Sequence, residues 1–431
     1  MAIYKNILIK SGGLRGFGSG DVISGGTVLA GGLMTARNGA TVVGLNVEGG
    51  FVEVEKSNVS NCKITRGGTL RLITPSGLVS GVTVSMGYLH LSGGSASGTV
   101  INGGNTIEKV CDGAVEYGTV VLSGGIQQVI SATISGSVLS GAKGTAGNQM
   151  LSAGAKAYNT VISTYGNQAV SSGASACNTK IYTYGQQHVQ KGGYASGVIM
   201  YSGLAPWSAA YHLVEGVAHD TVVYAYGDHY VRFGGTTYHT QVYDLAWQTI
   251  DGGGIASGTT VYSGGLQGMY GASNGYECGK AYDTVISSGG MQAVESGYAE
   301  RTTLVSGVQQ VWDLGSAKET RVSGGAQLVA GYAVSNFICS GGNQKVISSA
   351  FDNDKNYALS SGYALSNTFS QGNQWVIDGI ATLNTFAGGT QTLQGGSAYQ
   401  NTLSGASQWI ADGLAVSNTI SGEEQREFCK L

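Results

Sequence analysis

An interval constrains this chain more than any single motif: a Gln-type residue is followed eleven positions later by a Thr, again and again. The pairs are Gln149/Thr160, Gln168/Thr179, His229/Thr240, Gln248/Thr259, Gln292/Thr303, Gln309/Thr320, Gln374/Thr385, Gln391/Thr402 and Gln408/Thr419. The resulting repeat of 17 to 19 residues is too short for a domain and too regular for a loop. It reads as one supersecondary unit stacked many times.

The type of unit follows from its residues. Thr284–Glu300 (TVISSGGMQAVESGYAE) holds two short apolar stretches, Thr284–Ile286 and Met291–Val294, separated by Ser287, Ser288, Gly289 and Gly290. Each stretch has strand length and each Gly pair reads as a turn. Composition agrees: with 73 Gly but only 2 Pro and no three-residue period, the chain is not collagen-like, and 42% hydrophobic residues is too many for a disordered tail. Val, Ile, Thr and Tyr alternate with Gly and Ser, so helix content should be near zero. The expected fold is all-β, a single-stranded β-helix or β-solenoid of about twenty coils of 17–19 residues.

The Gln-to-Thr arm keeps its eleven residues, whereas the return arm falls from eight (Thr160/Gln168, Thr179/Gln187) through seven (Thr320/Gln327) to six (Thr385/Gln391, Thr402/Gln408, Thr419/Gln425). A constant arm beside an adjustable one is what a paired sheet next to a variable corner would produce, because a one-residue slip inside a strand turns its inward side chains outward. Leu70/Gly81 and Tyr88/Thr99 extend the interval toward the N-terminus. The expected organisation is atypical capping coils over 1–60, repeats over 61–422, and a charged end at 423–431 that would blunt a sheet edge. Insertions interrupt the register near 203–210, 272–279 and 348–357. Loops that vary on a repeating scaffold are natural places for function.

A net charge of −3 with scattered Lys and Arg gives no footprint for nucleic acid. The six Cys lie far apart with no C-x-x-C pair, so neither a zinc site nor a cofactor is expected. No 18-residue apolar run exists for membrane insertion as a helix. Met1–Lys10 lacks the apolar core of a signal peptide, so the chain is read either as a fragment of a longer secreted protein or as a free-standing repeat protein.

The Gln column has two readings: stacked amides that bond coil to coil, or a polar row that meets a partner. The first is preferred, and likewise for the Asn that precede Thr (Asn159, Asn178, Asn367, Asn384, Asn401, Asn418). Between Tyr201 and Ile250 the chain crowds in ten aromatics, which either form a structural ladder or present a binding patch. The candidate patch residues are Trp207, Tyr211, Tyr226, Tyr230 and Trp247. His212, His219, His229 and His239 lie there too, with Asp220, Asp228 and Asp244, at spacings that match no standard metal motif. Asp352–Asn356 has oxygen ligands but lacks the Gly and distant Glu of a Ca²⁺ loop. No grouped carboxylates of the kind a polysaccharide lyase or hydrolase needs stand out, so no catalytic residue is assigned.

The segments Ser288–Val311, Gly166–Val189 and Gly388–Ile410 resemble the Gly-rich repeats of AIDA-type autotransporter adhesins, of the form G-G-x-Q-x-V-x-x-G-x-A-x-x-T. The resemblance runs over roughly Gly103–Gly422. It implies a right-handed β-helical passenger on the surface of a Gram-negative cell, mediating adherence to host cells, glycans or other bacteria, including copies of itself. It also implies exposed Ser or Thr that accept heptose. The six Cys and the lack of alternating membrane-barrel strands depart from that pattern. A structural or phage-derived β-helical fibre is the alternative, and a polysaccharide-active enzyme the second.

Overall fold

The computed structural model describes residues 2–201, 208–271, 277–348, 361–422 and 425–427. The architecture is all-β with parallel pairing, a solenoid of about 21 turns without α-helix among the described residues. The chain divides into two compact units, residues 1–218 and 219–431, and each is taken by itself.

Each repeat folds as a coil of three short strands, and one coil of the first unit shows why. The first strand, Gly166–Val170, buries Gln168 and Val170; the second, Ser175–Cys177, buries Ala176; the third, Lys180–Ile181, buries Ile181, with Thr179 inward at the corner before it. The period-2 alternation of a strand thus selects Gln, Val, Ala and Ile for the interior and sends their neighbours outward. Single left-handed residues make the corners: Gly173 (φ 75°), Asn178 (φ 56°) and Tyr184 (φ 58°). Such corners favour Gly and Asn, which tolerate positive φ. The next coil repeats the pattern in register, Gln168 beside Gln187, Ala176 beside Ala195 and Ile181 beside Met200. Each wholly buried Val or Ile contributes about 1.5–3 kcal/mol, so the stacked columns are the main source of stability.

Residues 3–60 already form these coils; Ile3–Ile9 pairs with Val22–Leu29, for example. Their weak sequence repeat has a simple cause. In the first unit the Gln column opens on the exposed Arg15, is apolar through Met34, Val52, Leu70 and Leu89 in successive register, and turns polar in the interior at Glu108. Leu89, not Tyr88, is therefore the column residue of its coil. At the other end, Gln425–Glu427 pairs with Gln408–Ile410. The insertions near 203–210, 272–279 and 348–357 lie largely outside the described residues.

The interior polar columns are a hydrogen-bonded ladder. Gln Nε2 groups donate to the Oε1 of the preceding coil: Gln149 to Gln127 (2.6 Å), Gln187 to Gln168 (2.6 Å), and in the second unit Gln309 to Gln292 (2.6 Å) and Gln391 to Gln374 (2.8 Å). The eleven-residue interval is itself a contact across the coil, since Thr259 Oγ1 donates to Gln248 Oε1 (3.0 Å) and Thr320 Oγ1 to Gln309 Oε1 (3.2 Å).

The structure corrects that interval in four of the nine pairs. Thr303, Thr385, Thr402 and Thr419 point away from the interior; the inward residue lies one position earlier, at Thr302, Asn384, Asn401 and Asn418. Both arms shorten in the 17-residue coils, so the Gln-to-Thr arm is not rigid. Where Asn takes the inward place it satisfies the backbone of the corner: Asn384 Oδ1 accepts the backbone N–H of Asn367 (2.8 Å), and its Nδ2 donates to the carbonyl of Ala364 (3.2 Å). Asn401 repeats both bonds with Asn384 and Ala381. Asn159 and Asn178 instead are exposed corner residues at φ 54° and 56°, joined side chain to side chain.

Candidate ligand-binding faces

Burial separates the polar columns from any ligand. Glu108 and Glu116 are both fully buried, and Gln127 Nε2 donates to a carboxylate oxygen of each, at 2.9 and 2.8 Å. Burial, reinforced by the Glu116 charge, holds the Glu108 carboxyl well above the usual carboxylate range, and burial also raises Glu116. The pair is sealed inside the coil stack, where it joins the apolar column to the amide ladder. His229 occupies the same column in the second unit, and burial pushes its imidazole down to about 3, so it is neutral. His219 stacks on Tyr238 (4.6 Å between centroids), and His239 Nδ1 lies 3.5 Å from Asp220 Oδ1 at the surface. Among the described residues no group of three or more His, Cys, Asp or Glu converges on a point. Asp352–Asn356 falls outside the described residues.

The outward side of the first strands in the second unit is different. Strands Asp228–Val231, Trp247–Ile250 and Leu266–Met269 pair in register, placing Asp228 beside Trp247 and Trp247 beside Leu266. The next outward row is Tyr230, Thr249 and Gly268. A third row follows the strand ends, where Asp251 and Tyr270 donate backbone N–H groups to the coil before. Gly268 has a positional reason: a Cβ there would come within 2.7 Å of the Tyr270 ring, so glycine lets that ring lie flat over the sheet.

Polar contacts fix this platform. The Tyr230 hydroxyl donates to Asp251 Oδ2 at 2.6 Å, and burial together with Asp251 pushes that hydroxyl up to about 12. The Arg232 guanidinium lies 5.6 Å from the Tyr230 centroid and 4.6 Å from that of Phe233. Burial raises the Asp228 carboxyl to about 6 and, with Glu295 and Asp228 nearby, raises the Tyr270 hydroxyl. Flat rings beside carboxylate acceptors and a guanidinium donor are a surface on which a ligand with an apolar face and hydroxyl edges can lie. On the third strands of the same unit, Tyr224, Tyr243 and Tyr262 stack at 5.0 and 4.5 Å, a ladder that buttresses the coil edge.

Of the residues expected to form a patch, Tyr230 and Trp247 meet on this platform, and Tyr226 makes the left-handed turn (φ 58°) that opens its first strand. Tyr211 is outward and 44% exposed, but it belongs to the first unit, paired with Gln186. Trp207 lies outside the described residues. Sequence reasoning missed Arg232, Asp251, Gly268 and Tyr270 as members of one surface. The signal was available: Arg232, Asp251 and Tyr270 stand nineteen residues apart, the local coil length.

No protein-family model matches the chain, and no curated protein matches it in sequence. Among solved structures it is similar to a TibC-catalysed, hyper-glycosylated TibA fragment, with 25% identity over 99% of this chain and 100% of that one and a TM-score of 0.37. It is also similar to the PL6 family alginate lyase AlyGC, with 8% identity, 99% and 97% coverage and a TM-score of 0.26. A double mutant of the periplasmic alginate epimerase AlgG aligns at 9% identity over 91% of this chain and 78% of that one, with a TM-score of 0.13.

Proposed function

We propose that this chain is a non-enzymatic adhesin passenger, displayed outside a Gram-negative cell, that binds surface glycans of host cells or of other bacteria. The observation that carries the reading is the outward platform of Tyr230, Trp247 and Tyr270, edged by Asp251 and Arg232. A pyranose ring offers the complementary chemistry, with a C–H face for the aromatic rings and hydroxyls that donate to carboxylate oxygens. Contacts on an outward sheet face bind weakly one at a time, so useful attachment comes from many copies engaging at once. The repeats over Gly103–Gly422 that resemble autotransporter adhesins point the same way.

The test is display of the protein on a non-adherent bacterium, with settling and binding to glycan-coated surfaces as readouts. Trp247→Ala with Tyr230→Ala should lower attachment at least about tenfold, as loss of two aromatic anchors implies, while β-structure by circular dichroism is kept. Unchanged attachment by a folded double variant would end the platform reading, and display that brings no gain at all would end the adhesin reading.

A further inference from the structure

The first unit contains a feature that no repeat requires. The coil from Gln127 to Gln149 is 22 residues long, and its extra residues form a small hairpin in which Ala142 and Thr145 exchange backbone hydrogen bonds of 3.1 and 2.9 Å around Lys143 and Gly144. The hairpin is tied to its neighbours, Gly141 N–H to the Thr164 carbonyl at 2.7 Å and the Ala146 carbonyl to Gly124 N–H at 2.9 Å. Between it and the next two coils is a cleft of about 200 Å³. Ala142 and Thr145 of the hairpin line it together with Tyr165, Asn167, Tyr184 and Gln186 of the coils that follow. The two tyrosine rings are stacked, 4.9 Å apart and 8° from parallel.

The tyrosines stand where a ring is disfavoured. Three residues before the Gln column, the turn is left-handed; some coils fill the place with glycine, as at Gly124 (φ 78°), Gly264 (75°) and Gly289 (74°), and others with Met86, Asn105, Tyr226, Leu245, Ser306 or Gln371. Tyr165 and Tyr184 adopt φ 54° and 58° at the equivalent positions, a conformation that bulky residues rarely take.

We propose that this cleft binds one neutral pyranose ring. Its volume lies below the roughly 300–1,000 Å³ typical of drug-sized ligand sites, which suits a single ring rather than a chain. The aromatic wall takes the C–H face of a sugar, and Asn167, Gln186 and Thr145 supply paired donors and acceptors for hydroxyls. The lining carries no charged side chain, which favours a neutral sugar over a uronate, sialic acid or phosphate. Asn148 and Asn167 form a local amide relay that positions the site, with Asn167 Nδ2 donating to Asn148 Oδ1 (3.3 Å) and Asn148 Nδ2 to the Ala146 carbonyl (3.1 Å). This site is separate from the charged platform of the second unit and does not depend on it.

The test is titration of the full chain with methyl glycosides of glucose, galactose, mannose and N-acetylglucosamine, and with glucuronate and sialic acid, followed by ligand-observed NMR and calorimetry. At least one neutral glycoside should bind saturably, with a Kd on the order of millimolar, and more tightly than either acid. The double variant Tyr165→Gly/Tyr184→Gly should weaken that binding at least tenfold while keeping or raising the melting temperature, because glycine relieves the left-handed backbone. Gln186→Leu should weaken binding without changing stability. Failure of every neutral glycoside to bind, preference for the acids, or undiminished binding by the glycine variant overturns the proposal. So does a clear drop in melting temperature in that variant, which would make the stacked rings a structural clasp.

Discussion

Glu108 is where the interior of the first unit changes chemistry, because Leu89 lies on one side of it in register and Gln127 on the other. Its carboxyl is raised by burial above the ordinary 4.5, so its contribution to stability is fully present below that pH and is lost as pH rises through the folded value. Glu108→Gln should extend the amide ladder by one rung. Amide exchange of residues 106–130, followed by mass spectrometry, should then become slower and less sensitive to pH-linked stability than in the wild type, with the raised Glu116 carboxyl keeping part of the dependence; equal sensitivity in both proteins would refute this. His229 has the opposite sign. Folded at about 3 against 6.5 when free, it leaves the second unit stable above pH 6.5 and progressively weaker as pH falls toward 3. His229→Gln should remove that acid sensitivity, read as the difference from wild type because Asp228, raised to about 6, works in the contrary sense over part of the window. Interrupting the ladder should be costly: Gln309→Leu orphans the Gln327 amide and the Thr320 hydroxyl, and urea unfolding should show a loss of about 2–5 kcal/mol. The Gln column was legible in the sequence because one amide recurs at one place. Glu108 could be counted in that column from its spacing to Gln127, whereas Glu116 could not, since an isolated acid carries no period.

The corner, among the elements, is where reading the sequence fell short. The interval of eleven counts Thr385 as the partner of Gln374, yet Asn384 is buried and Thr385 is exposed. Periodicity assigns columns but cannot tell which of two adjacent polar residues turns inward when a coil loses two residues; the decision rests with the backbone N–H and carbonyl groups that need partners at the tighter turn. Asn384→Ala, which strands the Asn367 N–H and the Ala364 carbonyl, should cost about 2–4 kcal/mol. Thr385→Ala should stay within about 0.5 kcal/mol. Denaturant midpoints of the two variants decide it, and equal effects would restore Thr385 to the inward role. The platform was half legible for a related reason. Aromatic crowding drew notice to Tyr230 and Trp247, but the charged residues that complete it became a surface only once coils were laid side by side. The hairpin at Gly141–Ala146 went unnoticed because its Gly, Ala and Thr match the composition of the repeats around it.

For the molecule as a whole, the all-β coil stack and the lack of α-helix among the described residues were readable in advance, since period, Gly turns and short apolar stretches all agree. Coils contact chiefly their neighbours, so stability is close to a sum over coils and interfaces. Removing one entire turn, residues 374–390, brings Asn373 next to Gln391 and keeps every column in register. The shortened chain should keep its β-sheet circular dichroism and unfold cooperatively, whereas removing one residue more should disrupt the coils that follow; similar spectra and midpoints for the two deletions would contradict the register argument.

The ladder also has a direction. Within each unit the amide of a later coil donates to the carbonyl oxygen of the earlier one, at Gln149, Gln168 and Gln187 in the first and at Gln267, Gln292, Gln309, Gln327, Gln344, Gln374, Gln391 and Gln408 in the second. A completed coil therefore offers an oriented acceptor, together with a row of unpaired strand groups, to whatever chain emerges next. The interior thereby works as a template with a polarity, on which a chain delivered N-terminus first can be wound turn by turn without waiting for its distant end.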